Sequence, residues 1–118
     1  MARAASVVFA DTDRPEGLGR VVNALTTAKE FKEAGDGAVV IFDGAGTKWV
    51  AELSREDHKY HGLFQDVRDV VGGACSYCAE AYGVKEQVEQ AGVPLLEEYE
   101  EHPSLRRLIS DAYAVVTF

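Results

Sequence analysis

The chain has 118 residues, enough for one domain that buries its own core without disulfide or metal staples. A net charge of −8, with 20 acidic against 12 basic residues, is the wrong sign for a nucleic-acid binder, and the only tight basic pair is Arg106-Arg107. Two cysteines are too few for a disulfide framework, and no window approaches the ~18 apolar residues of a membrane span, so a cytoplasmic protein is expected.

Read in chain order, short apolar runs alternate with helical periods. After Met1 the first apolar stretch is shorter than a signal-peptide core and runs into acidic residues. Ser6 to Ala10 is β-branched and aromatic without polar alternation, the pattern of a strand buried on both faces. A polar loop over Asp11 to Arg14 follows, with Pro15 suited to a first helical turn. Apolar residues at 18, 21, 22, 25, 28 and 31 then define one helix face, and Gly35 and Gly37 supply the stop. Ala38 to Phe42 reads as a second buried strand, ending in the turn Asp43-Gly44-Ala45-Gly46.

Between Thr47 and Asp69 the pattern predicts two short helices, around Trp49, Val50 and Leu53 and around Leu63, Phe64, Val67 and Val70, separated by the polar segment SREDHKYHG. A third strand is expected at about 70 to 74. Helical residues follow from Ser76 to Tyr82, capped by Gly83, and from Lys85 to Ala91, before Gly92. Val93 to Leu96 is a weak strand because Pro94 removes a ladder donor. Pro103 opens a last helix with Leu105, Leu108, Ile109 and Ala112 on one face, and YAVVTF closes the chain as a strand. The alternation predicts one α/β domain over residues 1–118: a three-layer α/β/α sandwich around a mostly parallel five-stranded sheet.

In open parallel sheets ligand sites form beyond the carboxyl ends of the strands. That rule selects three loops: Asp11-Thr12-Asp13, Asp43-Gly44-Ala45-Gly46 and Cys75-Ser76-Tyr77-Cys78. Cys75 then stands at a strand end and at a helix N-terminus, where local positive potential favours thiolate. Gly72 and Gly73 before it leave room for close approach of a ligand. Against this stands the packing of both cysteines as small, inert apolar residues. A thioredoxin-like couple fits poorly, because the pair lies late in the chain and Ser-Tyr replaces the usual small Pro-containing dipeptide. His58 and His61 could join the cysteines in a tetrahedral zinc set, although both fall in a charged, solvated segment.

Other constellations carry less. Gly44-x-Gly46 lacks the remaining glycines and the Lys-Ser/Thr of a phosphate loop. Glu97, Glu98, Glu100 and Glu101 read as a solvated face, and His102 as a helix-start residue rather than a base. No G-x-S-x-G elbow occurs, and Ser76 has no evident triad partners. No motif calls for a metal or another cofactor.

The strand, Asp-Thr loop, helix ending in glycine, strand VVIFDGAG, Gly-Ala-Cys turn, Gly83-Val84 eight residues past the cysteine and closing Thr-Phe strand together resemble the DsrE/DsrF-like family, over nearly the whole chain. The resemblance implies a five-stranded parallel sheet, assembly into trimers or hexamers, and sulfur relay in which one cysteine carries a persulfide to or from a partner protein. By position Cys75 matches the sulfur-carrying cysteine. Cys78 departs from the pattern, and a neighbouring thiol would resolve a persulfide into a disulfide. The expected site is therefore Cys75 and Cys78, with Asp11, Thr12, Gly44 and Gly46 shaping the pocket. The expected role is sulfur transfer or thiol redox chemistry. A non-enzymatic module binding a small ligand or a partner is the alternative.

Overall fold

The computed structural model describes residues 1–118. Five strands, β1 (Arg3–Val8), β2 (Gly37–Phe42), β3 (Val71–Cys75), β4 (Leu95–Leu96) and β5 (Ala114–Thr117), form one sheet in the order β4-β3-β2-β1-β5, every pairing parallel. Six helices connect them: α1 (Pro15–Glu33), α2 (Trp49–Ser54), α3 (His61–Asp66), α4 (Ser76–Ala81), α5 (Lys85–Gln90) and α6 (Leu105–Ser110). This is the expected three-layer α/β/α sandwich. No helix is long and apolar enough to cross a membrane.

Alternating side chains divide the core between the two sheet faces. Val8, Val40, Phe42 and Ala74 meet α1 through Val21, Leu25 and Ala28, α2 through Trp49, Val50 and Leu53, and α3, α4 and α5 through Phe64, Ala79 and Val88. The opposite face is thinner: Ala5, Val7 and Ile41 are covered by Leu108 of α6, with Val39, Leu105 and Val115 only partly buried around them. Five helices therefore lie on one face and one on the other.

Several boundaries differ from the sequence reading. The first strand ends at Val8, because Phe9 and Ala10 turn their amides to the carbonyl of Phe118, at 2.8 and 3.2 Å. β4 shrinks to two residues, in keeping with Pro94. The last helix stops at Ser110. Ala112 lies beyond it at φ 65°, and Ile109 is exposed rather than packed.

Gly72 and Gly73 serve the sheet rather than a ligand. A Cβ on Gly72 would stand 2.7 Å from a Val39 methyl, and one on Gly73 would meet the Pro94 carbonyl at 2.6 Å and Leu96 at 2.7 Å. The register between β2 and β3 also shifts at this point, from Val40–Val71 to Ile41–Gly73. The glycines let β3 pack tightly between its neighbours and deliver Cys75 to the sheet edge.

Candidate functional site

Three chain segments meet where β2, β3 and β4 end, and each brings donor atoms. β2 ends at Phe42, so Asp43 is the first residue off the strand. Its carboxylate caps the following 3-10 turn by accepting from the Gly44 amide at 2.8 Å, and it is only 8% exposed. β3 ends at Cys75, which is fully buried and is the N-cap of α4; its Sγ accepts from the Cys78 amide at 3.4 Å. Cys78, one turn on, is partly exposed and donates its S–H toward Asp43 Oδ1 at 3.6 Å.

The third segment follows β4. Tyr99 and His102 exchange backbone hydrogen bonds of 2.9 and 2.8 Å around a tight turn, which places Glu100 and Glu101 at φ 50° and 64°. That turn is stitched to the start of α4. The Tyr77 amide donates to the Glu101 carbonyl at 3.0 Å, the buried Ser76 hydroxyl donates to Glu97 at 2.8 Å, and the Tyr77 ring lies 4.9 Å from the His102 ring, centroid to centroid. The result holds His102 Nδ1 3.1 Å from Cys75 Sγ. Donor atoms of Asp43, Cys75, Cys78 and His102 all lie within 4.8 Å of one another.

These contacts revise one expectation and extend another. His102 is a partner of Cys75 and not simply a residue before a helix. The acidic run is exposed, as expected, and two of its members also tie the fold: Glu97 holds Ser76, and Glu98 accepts from the Ser104 amide and pairs with Arg107.

The resting state of Cys75 is also revised. Burial pushes its thiol up to about 12; the Cys78 amide acts in the opposite direction, and the Asp43 carboxylate adds to the rise. Desolvation outweighs the start of a six-residue helix. Cys75 therefore rests as a thiol. When His102 presents Nδ1 unprotonated, the S–H donates to it.

The remaining predicted residues lie beside this cluster rather than in it. Asp11 pairs with Lys48 at 2.6 Å, which holds its carboxyl below the ordinary range, and the Lys48 ammonium sits 5.4 Å from the centroid of Tyr82, just past α4. Asp11 lines an open depression with Phe9, Arg14 and Arg20, and Thr12 lines another with Trp49 and His58; neither contains a cysteine. Gly44, at φ 53°, packs on the Phe9 ring. Gly46 is buried so close to β1 that a Cβ would meet the Val8 carbonyl at 2.0 Å. His58 and His61 do not join the cysteines: His58 Nδ1 accepts from the Tyr60 amide at 3.0 Å, and His61 Nδ1 lies 2.8 Å from the Leu53 carbonyl.

The family model for DsrE/DsrF-like proteins matches residues 5–118, a span that contains every strand end and all four clustered residues. The chain belongs to the DsrE/DsrF-like family. Membership in the DsrE/DsrF-like family ties it to sulfur-relay-type chemistry at the level of the family. A relative, the uncharacterized protein MJ0733 of Methanocaldococcus jannaschii, is 30% identical over 98 residues, covering 81% of this chain and 78% of the relative. No solved structure matches the chain.

Proposed function

We propose that this domain accepts and passes on sulfur as a persulfide on Cys75, with His102 as the proton acceptor that makes the buried thiol a nucleophile. The observation that carries this reading is the 3.1 Å approach of His102 Nδ1 to Cys75 Sγ. A nucleophile beside a base is the arrangement that covalent catalysis requires, and a thiol held protonated by burial needs that base most. In the forward step Cys75 loses its proton to His102 and attacks the outer sulfur of a donor persulfide. A new S–S bond forms on Cys75, the donor's S–S bond breaks, and the departing thiolate takes the proton back. Cys78 supplies a release path: its thiol attacks the inner sulfur of the Cys75 persulfide, leaving a Cys75–Cys78 disulfide and one molecule of hydrogen sulfide, and a dithiol reductant resets the pair.

The natural donor or acceptor in this proposal is another protein, reached across the sheet edge where Tyr77 and Tyr99 are exposed. The chain works as a homo-oligomer, a trimer or hexamer by likeness to its family. The lightly covered sheet face, where Val39, Leu105 and Val115 are only partly buried and Ile109 of α6 is 63% exposed, supports that state. Light scattering then reads three or six chains, and a single-chain mass contradicts the assembly.

The experiment for the chemistry is incubation of the reduced protein with a small persulfide donor, followed by site-mapped mass spectrometry. One added sulfur atom on Cys75, lost in Cys75→Ser, is expected. Sulfur found only on Cys78, or neither added sulfur on Cys75 nor a Cys75–Cys78 disulfide with released sulfide, refutes it, and Cys78→Ser should keep the added sulfur on Cys75. The absence of both addition and disulfide, in the native chain and in Cys78→Ser, favours the alternative of a non-enzymatic binding module, in which the complete burial of Cys75 is packing alone.

A further inference from the structure

We infer that Asp43, Cys75, Cys78 and His102 form a closed four-ligand site for a thiophilic divalent cation of the zinc class. The inference stands on donor chemistry and geometry, and does not depend on the sulfur reading. Two sulfurs, one imidazole nitrogen and one carboxylate oxygen are a donor set that suits a borderline-soft, four-coordinate ion. In a tetrahedral zinc site, metal–ligand bonds of about 2.0–2.3 Å set the ligand atoms roughly 3.3–3.8 Å apart. Here Cys75 Sγ and His102 Nδ1 are 3.1 Å apart, Cys78 Sγ and Asp43 Oδ1 are 3.6 Å apart, and no pair exceeds 4.8 Å. Side-chain adjustments of about 1 Å close the tetrahedron.

The frame around the donors is built as well. Asp43 and Cys75 are buried, so half of the ligand set is already stripped of water. The Cys78 amide aimed at Cys75 Sγ is the kind of donor that supports a metal-bound thiolate from outside the ligand shell. The left-handed pair Glu100 and Glu101 forces the turn that brings His102 over the thiols. Backbone held at such values in non-glycine residues marks a position that the surrounding structure is made to enforce.

Binding replaces two thiol protons with one dication, both protons leaving to solvent. All four positions are filled by the protein, which is the pattern of a closed site rather than one that keeps a position open for substrate. The cation would tie together the ends of β2, β3 and β4, and would cap both thiols while it is bound.

Cobalt(II) alone, added to the reduced, chelator-treated full chain, reads the site directly. Expected are one ion per chain, a thiolate-to-cobalt charge-transfer band and the intense visible bands of tetrahedral cobalt, all displaced by zinc. The charge-transfer band should weaken in Cys75→Ser and in Cys78→Ser, each of which leaves one thiolate, and vanish when both cysteines are replaced. Asp43→Asn and His102→Gln should each weaken binding by about tenfold or more, while His58→Gln and His61→Gln leave it unchanged. Circular dichroism checks that each variant folds, and zinc should raise the melting temperature of the native chain. No charge-transfer band, binding indifferent to Asp43 and His102, or no thermal shift with zinc overturns the site.

Discussion

At the scale of single residues, the site depends on two side chains whose importance no local motif announces. Asp43 was visible as the start of a turn after the second strand, but only its burial against Cys78 gives it a chemical role. His102 stands 27 residues past Cys75 and looked like the residue before a helix. The signal that could have found it was the parallel-sheet rule itself. β4 runs parallel to β3, so its carboxyl end opens on the same edge, and applying the rule to that weak strand selects the segment ending in His102. The cysteine pair was legible because two thiols at a strand end are chemically conspicuous. Their ionisation was not legible, because desolvation is a property of the folded surroundings.

Another residue makes a sharp prediction at this scale. Ser6, in the middle of β1, is 1% exposed and its hydroxyl has no hydrogen-bond partner. An unsatisfied buried hydroxyl costs about 1–3 kcal/mol, so Ser6→Ala is expected to raise stability by roughly 1 kcal/mol in urea denaturation. A loss of stability would show that the hydroxyl is doing structural work.

At the scale of elements, the helix ends were the most legible part of the fold. α1, α4 and α5 each finish in the same left-handed turn, with Gly35, Gly83 and Gly92 at φ 79°, 73° and 73°. In each case the residue after the glycine bonds back across the turn: Asp36 to Phe31, Val84 to Ala79 and Val93 to Val88. α6 ends the same way, with Tyr113 donating to Leu108 at 2.9 Å and Ala112 to Ile109 at 3.1 Å, but it seats Ala112 where the others use glycine. That substitution hides the stop from sequence, and it explains why periodicity carried the helix through Ala112. Ala112→Gly is expected to stabilise the protein by about 1 kcal/mol, since it removes the Cβ clash of the left-handed conformation. A fall in thermal or urea stability would contradict the assignment of that turn.

At the scale of the whole molecule, parallel topology was readable from alternation alone, whereas the distribution of helices between the faces was not. Periodicity says that a helix has an apolar side, but not which sheet face receives it. Five helices lie on one side and α6 alone on the other, where Val39, Leu105 and Val115 stay only partly buried. The acidic surface adds a pH dependence. Asp11, Asp57 and Asp69 have carboxyls held below the ordinary range by hydrogen bonds from Lys48, Arg55 and Lys32. Each contributes stability that is present above the ordinary carboxylate range and lost as pH falls through its own lowered value. These pairs are exposed or half-exposed, so the melting temperature should fall modestly between about pH 5 and about pH 2, and the loss should shrink in high salt. A loss that salt leaves unchanged would place its origin in buried groups.

The central claim joins all three scales: a buried thiol delivered by β3 is activated by an imidazole delivered from beyond β4. It is tested most directly by the rate of persulfide formation on Cys75 in native protein and in His102→Ala, both reduced and treated with chelator. General bases contribute about 10²–10⁴-fold, so His102→Ala should load sulfur at least about a hundredfold more slowly at neutral pH, with its circular dichroism unchanged. Equal rates in the two proteins would contradict the pairing of Cys75 with His102.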